Sequence, residues 1–219
     1  MKKIFLSILG FVVVYVLVGA LLDRVIFTEK DAPADYIPRA GSTFVSRSEG
    51  FRQTILKHEG GLVWGELELE PRAAGPPEHI HGAMTERFMV AEGTLSLMVN
   101  GEKRIVQAGE MLEVPPGTPH KPFNETDARI IVRGPMTADY ALPEQFAVFL
   151  TQAYGFFDES PANNQMPKVM LQMSRFAPKY DLWLAGPPLF LQKALFFVVG
   201  PTARLLGYRT YYEKYKPSA

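Results

Sequence analysis

Nineteen residues without a charge, Ile4 to Leu22 (IFLSILGFVVVYVLVGALL), follow Lys2 and Lys3 and end at Asp23-Arg24. A hydrocarbon core of about 30 Å takes roughly 20 apolar residues of helix, so this run is just long enough to span a bilayer. Two main readings compete for it. One is a retained transmembrane anchor; the other is a secretory signal cut after Val18-Gly19-Ala20, a small-residue site. A helix merely buried in protein is the third. The apolar core exceeds the roughly 7–15 residues usual in a signal, and Leu21-Leu22 continue it past the cut. The anchor is therefore preferred, with the membrane contacted through residues 4–22. Lys2, Lys3 and the amino terminus favour an N-terminus inside, which places the remainder outside the cytoplasm. Cleavage would instead leave a secreted or periplasmic protein.

Beyond this segment, Asp31 to Phe44 (DAPADYIPRAGSTF) is rich in Pro, Ala, Gly and Asp and reads as a linker. From Phe51 to Gly134 the pattern is β. Leu67 and Leu69 alternate with Glu66, Glu68 and Glu70, and Leu95, Leu97 and Val99 alternate with Thr94, Ser96 and Met98. A period of two marks half-buried strands. Asn100-Gly101 is a two-residue hairpin signal, because both residues tolerate positive φ. Gly109, Pro115, Pro116 and Gly117 punctuate further short strands, so a sandwich or barrel is expected.

After Gly134 the period becomes helical. Leu142-Pro143-Glu144 starts one helix, with Phe146, Phe149 and Ala153 at helical spacing, and Met166 to Phe176 forms another with Pro167 near its start. Leu189 to Val199 (LFLQKALFFVV) is apolar except for Gln192 and Lys193. It is short for a span, and Gly186-Pro187-Pro188 prevents its extension backwards as helix. Packing against the β-domain, the anchor or the membrane surface is expected instead. The chain thus divides into an anchor or signal segment (1–24), a linker and lead-in (25–50), a β-domain (51–135) and a C-terminal helical region (136–219).

Composition removes several functions. Lys and Arg number 23 against 23 Asp and Glu, so the chain lacks the basic field of a nucleic-acid binder. The absence of cysteine rules out a disulfide, a thiolate metal site and a cysteine nucleophile. Histidine is the informative residue. His79 and His81 are two apart in Pro77-Glu78-His79-Ile80-His81, so on a strand both face the same side. Glu86 follows a short turn, and His120 follows the proline-fixed turn Pro115-Pro116-Gly117-Thr118-Pro119. Three neutral imidazoles and one carboxylate form a nitrogen and oxygen set suited to Fe, Mn, Co, Ni, Cu or Zn as the divalent ion. Four protein ligands would leave one or two positions open, which separates a catalytic metal site from a closed structural one.

These two segments resemble the paired motifs of the cupin superfamily. The resemblance implies a mainly β fold, a jelly-roll-type β-barrel; the N-terminal transmembrane helix and the C-terminal helical extension lie outside it and are read from the residues alone. It implies that His79, His81, Glu86 and His120 bind one divalent first-row metal ion. Gly109, Pro115, Gly117, His120 and Asn124 match the second motif, while Ala73 stands where the first motif has glycine, with Gly75 nearby. The match covers about residues 60 to 135. It implies metal-dependent chemistry on a small molecule, first a dioxygenase-type oxidoreductase and then an isomerase or lyase. Glu86 would be a ligand and the catalytic proton acceptor.

The alternative is a non-catalytic cupin that binds a small ligand or scaffolds a membrane assembly, since fold does not determine function. A homodimer paired through the sheets also fits the resemblance. Phe88 and Val90 share strand parity with Glu86 and are candidates to line the interior with Trp64, Met84, Leu112 and Phe123; plain core packing is the competing reading for each. Arg87, of opposite parity, should face away. His58 belongs to neither motif and reads as a surface or packing residue. The sequon at Asn124 is discounted because Asn124 has a turn role in the motif.

Overall fold

The computed structural model describes residues 2–217; Met1, Ser218 and Ala219, at the outer ends of the first and last expected regions, lie outside the described residues. Helix α1 (Lys2–Leu21) continues as a wider helical turn, Leu22–Ile26. Its 20 residues span about 30 Å at a 1.5 Å rise. It buries none of its residues. The apolar sequence therefore makes a mostly exposed helix that half-buries only Val16, Gly19 and Ala20.

Twelve strands follow: β1 (Thr43–Ser46), β2 (Phe51–Glu59), β3 (Leu62–Leu69), β4 (His79–His81), β5 (Glu86–Glu92), β6 (Thr94–Val99), β7 (Glu102–Gln107), β8 (Met111–Val114), β9 (His120–Phe123), β10 (Ile130–Val132), β11 (Leu142–Pro143) and β12 (Leu182–Leu184). They form two antiparallel sheets. One runs β1-β2-β3-β10-β5-β8, with β11 also paired to β3; the other runs β12-β4-β9-β6-β7. The expected closed barrel is absent among the described residues. The sheets face each other as a sandwich, each presenting one apolar face to a shared core. Phe51, Leu69, Phe88, Val90, Leu95, Leu97, Val114 and Ile130 make that core. Complete burial of Leu95 and Leu97 stabilises the fold by roughly 1.5–3 kcal/mol each. Asn100 and Gly101, both at positive φ, close the β6–β7 hairpin with Val99 opposite Glu102, as the dipeptide predicts.

Three further α-helices follow among the described residues. Pro143 precedes α2 (Glu144–Glu159), Pro167 lies in the first turn of α3 (Met166–Tyr180), and α4 (Leu189–Leu205) begins directly after Gly186-Pro187-Pro188. Phe146, Phe149, Met173, Phe176, Trp183 and Phe196 join α2, α3, β12 and α4 in a second core. The Asp31–Phe44 segment is packed rather than free. Tyr36 and Ile37 bury against Ile55, Val63, Ala147 and Val148, and Thr43 and Phe44 already belong to β1.

Helix α4 lies against α1, where the Tyr15 hydroxyl meets the Thr202 hydroxyl and Arg24 sits over the Phe197 ring. Its outer side leaves Phe190, Leu191, Leu195 and Val198 exposed, next to the exposed apolar surface of α1. Below α1 the charges are paired. Arg175 contacts Asp23 at 3.0 Å and also Glu29, and Arg204 contacts the same two carboxylates. The Thr210 hydroxyl donates to Glu29.

Candidate metal centre

His79 and His81 are the two ends of β4, and the strand's alternation buries both while Ile80 turns toward the helices. His120 opens β9 and pairs directly with His79. Glu86 opens β5 in the other sheet, paired with Val114 of β8. The centre therefore spans the sandwich, with three imidazoles from one sheet and one carboxylate from the other. One nitrogen or oxygen from each of the four residues lies within 4.8 Å of all the others.

The outer nitrogen of every ring is already committed. Nδ1 of His79 is 3.0 Å from the Pro77 carbonyl, Nδ1 of His120 is 2.9 Å from the Thr118 carbonyl, and Nδ1 of His81 is 3.1 Å from the Asp181 carbonyl. A carbonyl only accepts, so each Nδ1 carries the proton and each neutral ring turns a bare Nε2 lone pair inward. His81 is 2% exposed, and its Nε2 has no hydrogen-bond partner. That atom is 3.5 Å from Glu86 Oε2, too long for a firm hydrogen bond. Nε2 of His120 is 2.8 Å from the same oxygen. Two acceptors at that distance repel unless a cation lies with them, so the donor set fits a divalent metal ion.

The protonation trends agree. Burial, with the neighbouring His120 and His81 adding, pushes His79 down to about 3, so it stays neutral. Burial alone would raise Glu86, but His120 and His81 outweigh it and hold the carboxyl well below the usual range. Burial would lower His120, and Glu86 prevails to raise it. A proton on His120 and a metal ion answer the same need for positive charge among these lone pairs.

A cavity of about 590 Å³ opens beside the cluster, lined by His79, His81 and Glu86 and by residues of both sheets, α2 and α3. Of the six apolar residues expected around it, Phe88 lines it and the others do not. Val90 and Leu112 are taken up in the inter-sheet core. Trp64 follows a register shift in β2–β3, stacks under Lys57 and donates its indole N–H to the Thr137 carbonyl. His120 and Pro122 take the inward face of β9, which turns Phe123 outward, and Met84 packs with the helical core. Arg87 pairs with Glu113 at 2.8 Å yet also borders the cavity. His58 meets Glu144 at 2.9 Å on the surface, away from the cluster. Asn124 is buried, accepts from Thr126 and donates to the Glu70 and Ala128 carbonyls, consistent with its turn role.

Asp181 is the residue that the sequence motifs miss. It caps α3 at φ 55° and presents its carbonyl to His81. Its carboxylate accepts from the Ala83 N–H at 2.6 Å and from the Trp183 indole at 3.0 Å. Strand β12 then runs beside β4, with Leu182 opposite His81 and Leu184 opposite His79. The C-terminal region thus supports the histidine strand directly. Three residues are too few to show a period, so no pattern in the sequence marks this strand.

The family description "Cupin domain" matches residues 65–132. The probable oxidoreductase virH of Hypocrea virens is 31% identical over 206 residues, covering 84% of this chain and 90% of that protein. Similar solved structures include KdgF from Halomonas sp. (25% identity, 38% of this chain and 76% of that one, TM-score 0.33). An oxalate oxidase is 25% identical and covers 46% of this chain and 59% of its own, with a TM-score of 0.36. The cupin domain of Schizosaccharomyces pombe Cnp3 is 18% identical, covering 37% and 60%, with a TM-score of 0.34.

Proposed function

The chain belongs to the cupin superfamily, and from that premise we propose that it is a metal-dependent oxidoreductase acting on a small molecule at a membrane. The observation that carries this reading is the convergence of three bare Nε2 lone pairs and the Glu86 carboxylate on one point. His79, His81, Glu86 and His120 would hold one divalent first-row ion, and its open positions would supply Lewis-acid or redox chemistry. The chain's own residues do the rest. The carbonyls of Pro77, Thr118 and Asp181 fix the three ring orientations, which is the role of outer partners in metal sites. The apolar cavity wall excludes water from a bound substrate. Glu86, partly exposed toward that cavity, is placed to accept a substrate proton.

The oxidoreductase assignment draws on the relative's name, and a dioxygenase-type reaction is the first form of it to test. Helix α1, apolar, unburied and long enough to span, is read as a retained anchor with the sandwich outside the cytoplasm. The test is elemental analysis of the full-length protein, followed by oxygen consumption with Fe(II)-loaded protein across a metabolite panel. About one equivalent of metal in the wild type and less than a tenth in a His79→Ala, His120→Ala double variant is expected. Full retention by that variant overturns the site. Metal without turnover on any panel member returns the protein to a ligand-binding role. Carbonate extraction of expressing cells, with the sandwich remaining in the membrane pellet, tests the anchor.

A further inference from the structure

The cavity beside the histidines also takes in Glu49, Gln53 and Tyr154. All three lie outside residues 65–132, the stretch common to cupin domains. Gln53 is 6% exposed and Tyr154 7%. Among the described residues, the Gln53 amide, the Tyr154 hydroxyl and the Glu49 carboxyl have no hydrogen-bond partner; Glu49 bonds only through its backbone. All three line the cavity, so their unpartnered polar atoms are open to whatever occupies it. Two other polar groups at the cavity are accounted for: Arg87 pairs with Glu113, and Arg133 with Glu66. Glycine at position 65 leaves the room that the Gln53 amide occupies, since a Cβ there would collide with its Nε2.

Chemistry follows from the environment. Burial, with the Asp158 charge adding, pushes the Glu49 carboxyl up to about 8, so it is a neutral acid at neutral pH. Burial likewise raises Tyr154 well above its ordinary value, and Glu86, joined by Glu49 whenever that carboxyl ionises, adds to the rise. Tyr154 therefore stands within electrostatic reach of the histidine centre and of Glu49. The three side chains offer donors and acceptors but no cation, which favours a hydroxyl or carbonyl and disfavours a carboxylate or phosphate. Around them the wall is apolar, with Phe51, Leu67, Phe149 and Leu150.

We propose that Glu49, Gln53 and Tyr154 form an uncharged hydrogen-bonding subsite that holds a hydroxyl or carbonyl of a mostly apolar substrate while another part of that substrate faces the histidine centre. This rests on the reading of that centre as the reaction site. Three probes test it by calorimetry on the full-length, metal-loaded protein in amphipol: 2-naphthol, 2-methylnaphthalene and 2-naphthoate. The first two match in size and differ by a hydroxyl. Naphthol should bind about tenfold more tightly than the methyl compound, and naphthoate more weakly than either. Gln53→Leu and Tyr154→Phe should each cut the naphthol preference to about threefold or less, with 2-methylnaphthalene unchanged within about twofold. Glu49→Gln keeps a neutral hydrogen-bonding group and should keep the preference. Metal content, measured on each variant, should equal that of wild type.

The His79→Ala, His120→Ala variant separates the two readings. A preference that survives there but falls in Gln53→Leu assigns the hydroxyl to the subsite. A preference that persists in Gln53→Leu and Tyr154→Phe but vanishes without metal sends the hydroxyl to the histidine centre; it overturns the subsite and leaves the metal reading standing. Absence of binding by all three probes to wild type, or tighter binding of naphthoate, also overturns the subsite.

Discussion

Two clusters of largely buried ionisable side chains hold different parts of this molecule together, one below α1 and one between the sheets. In the first, Arg175 and Arg204 face Asp23 and Glu29, two cations against two anions, each within ion-pair distance of both partners. In the second, three imidazoles spend their Nδ1 protons on backbone carbonyls and turn lone pairs toward one carboxylate. The first cluster is balanced by its own side chains, whereas the second lacks positive charge unless a proton or a metal ion supplies it. Burial makes both conditions strict, because an uncompensated charge or lone pair in low dielectric is costly. Balance thus distinguishes a joint from a binding site.

The largest effect expected from this contrast is metal removal. A chelator should strip the second cluster and lower the melting temperature of the sandwich, because any ligand bound only to the folded state stabilises it. In the His79→Ala, His120→Ala variant the chelator should change nothing. An equal chelator response in wild type and variant would show that stability owes nothing to that cluster. Next in size is Arg175→Ala. It leaves Asp23 and Glu29 with Arg204 alone and should cost about 3–5 kcal/mol, on the order of 10 °C in Tm for a chain of this length. Metal content should stay at one equivalent. If metal is lost with Arg175, the two clusters are not independent and the contrast fails.

Part of this arrangement was legible in the sequence. His79, His81 and His120 could be grouped because strand parity puts residues two apart on one face and the proline turn returns the chain. Pro143 and Pro167 mark helix starts because proline lacks an N–H where helices need none. Other parts depend on tertiary contacts with no local signature. Gln53 and Tyr154 read as ordinary members of a strand and a helix, and only the cavity shows that their polar atoms are unpartnered. The Pro-rich Asp31–Phe44 stretch has a linker's composition, yet Tyr36 and Ile37 carry enough apolar area to pack it down. Strand parity also sorts faces without sorting layers. Hence Val90 and Phe88 share a face, but only Phe88 reaches the cavity.

Asp181 sharpens the comparison at a smaller scale, because it links the helical region to the histidine centre. Asp181→Ala keeps the backbone carbonyl that meets His81 but removes the acceptor for the Ala83 N–H and the Trp183 indole. The turn after β4 should loosen, and metal affinity should fall a few-fold, less than the roughly tenfold or more that follows loss of an outer partner itself. Competition against a chelator of known affinity measures it. Unchanged affinity would mean that β12 holds His81 without help from this side chain.

The smallest effect belongs to the histidine that both clusters leave out. His58 meets Glu144 at 2.9 Å with about a third of each side chain exposed. Exposed pairs of this kind contribute about 0–1 kcal/mol. His58→Gln retains a hydrogen-bonding group on β2 and should leave the melting temperature within a few degrees and the metal stoichiometry at one. Its value lies in what it isolates. If His58→Gln lowers metal content as far as a ligand substitution does, then histidine number, and not the geometry of one centre, governs metal uptake. Unchanged content, beside its loss in the His79→Ala, His120→Ala variant, attributes uptake to the three rings whose Nδ1 protons are already committed.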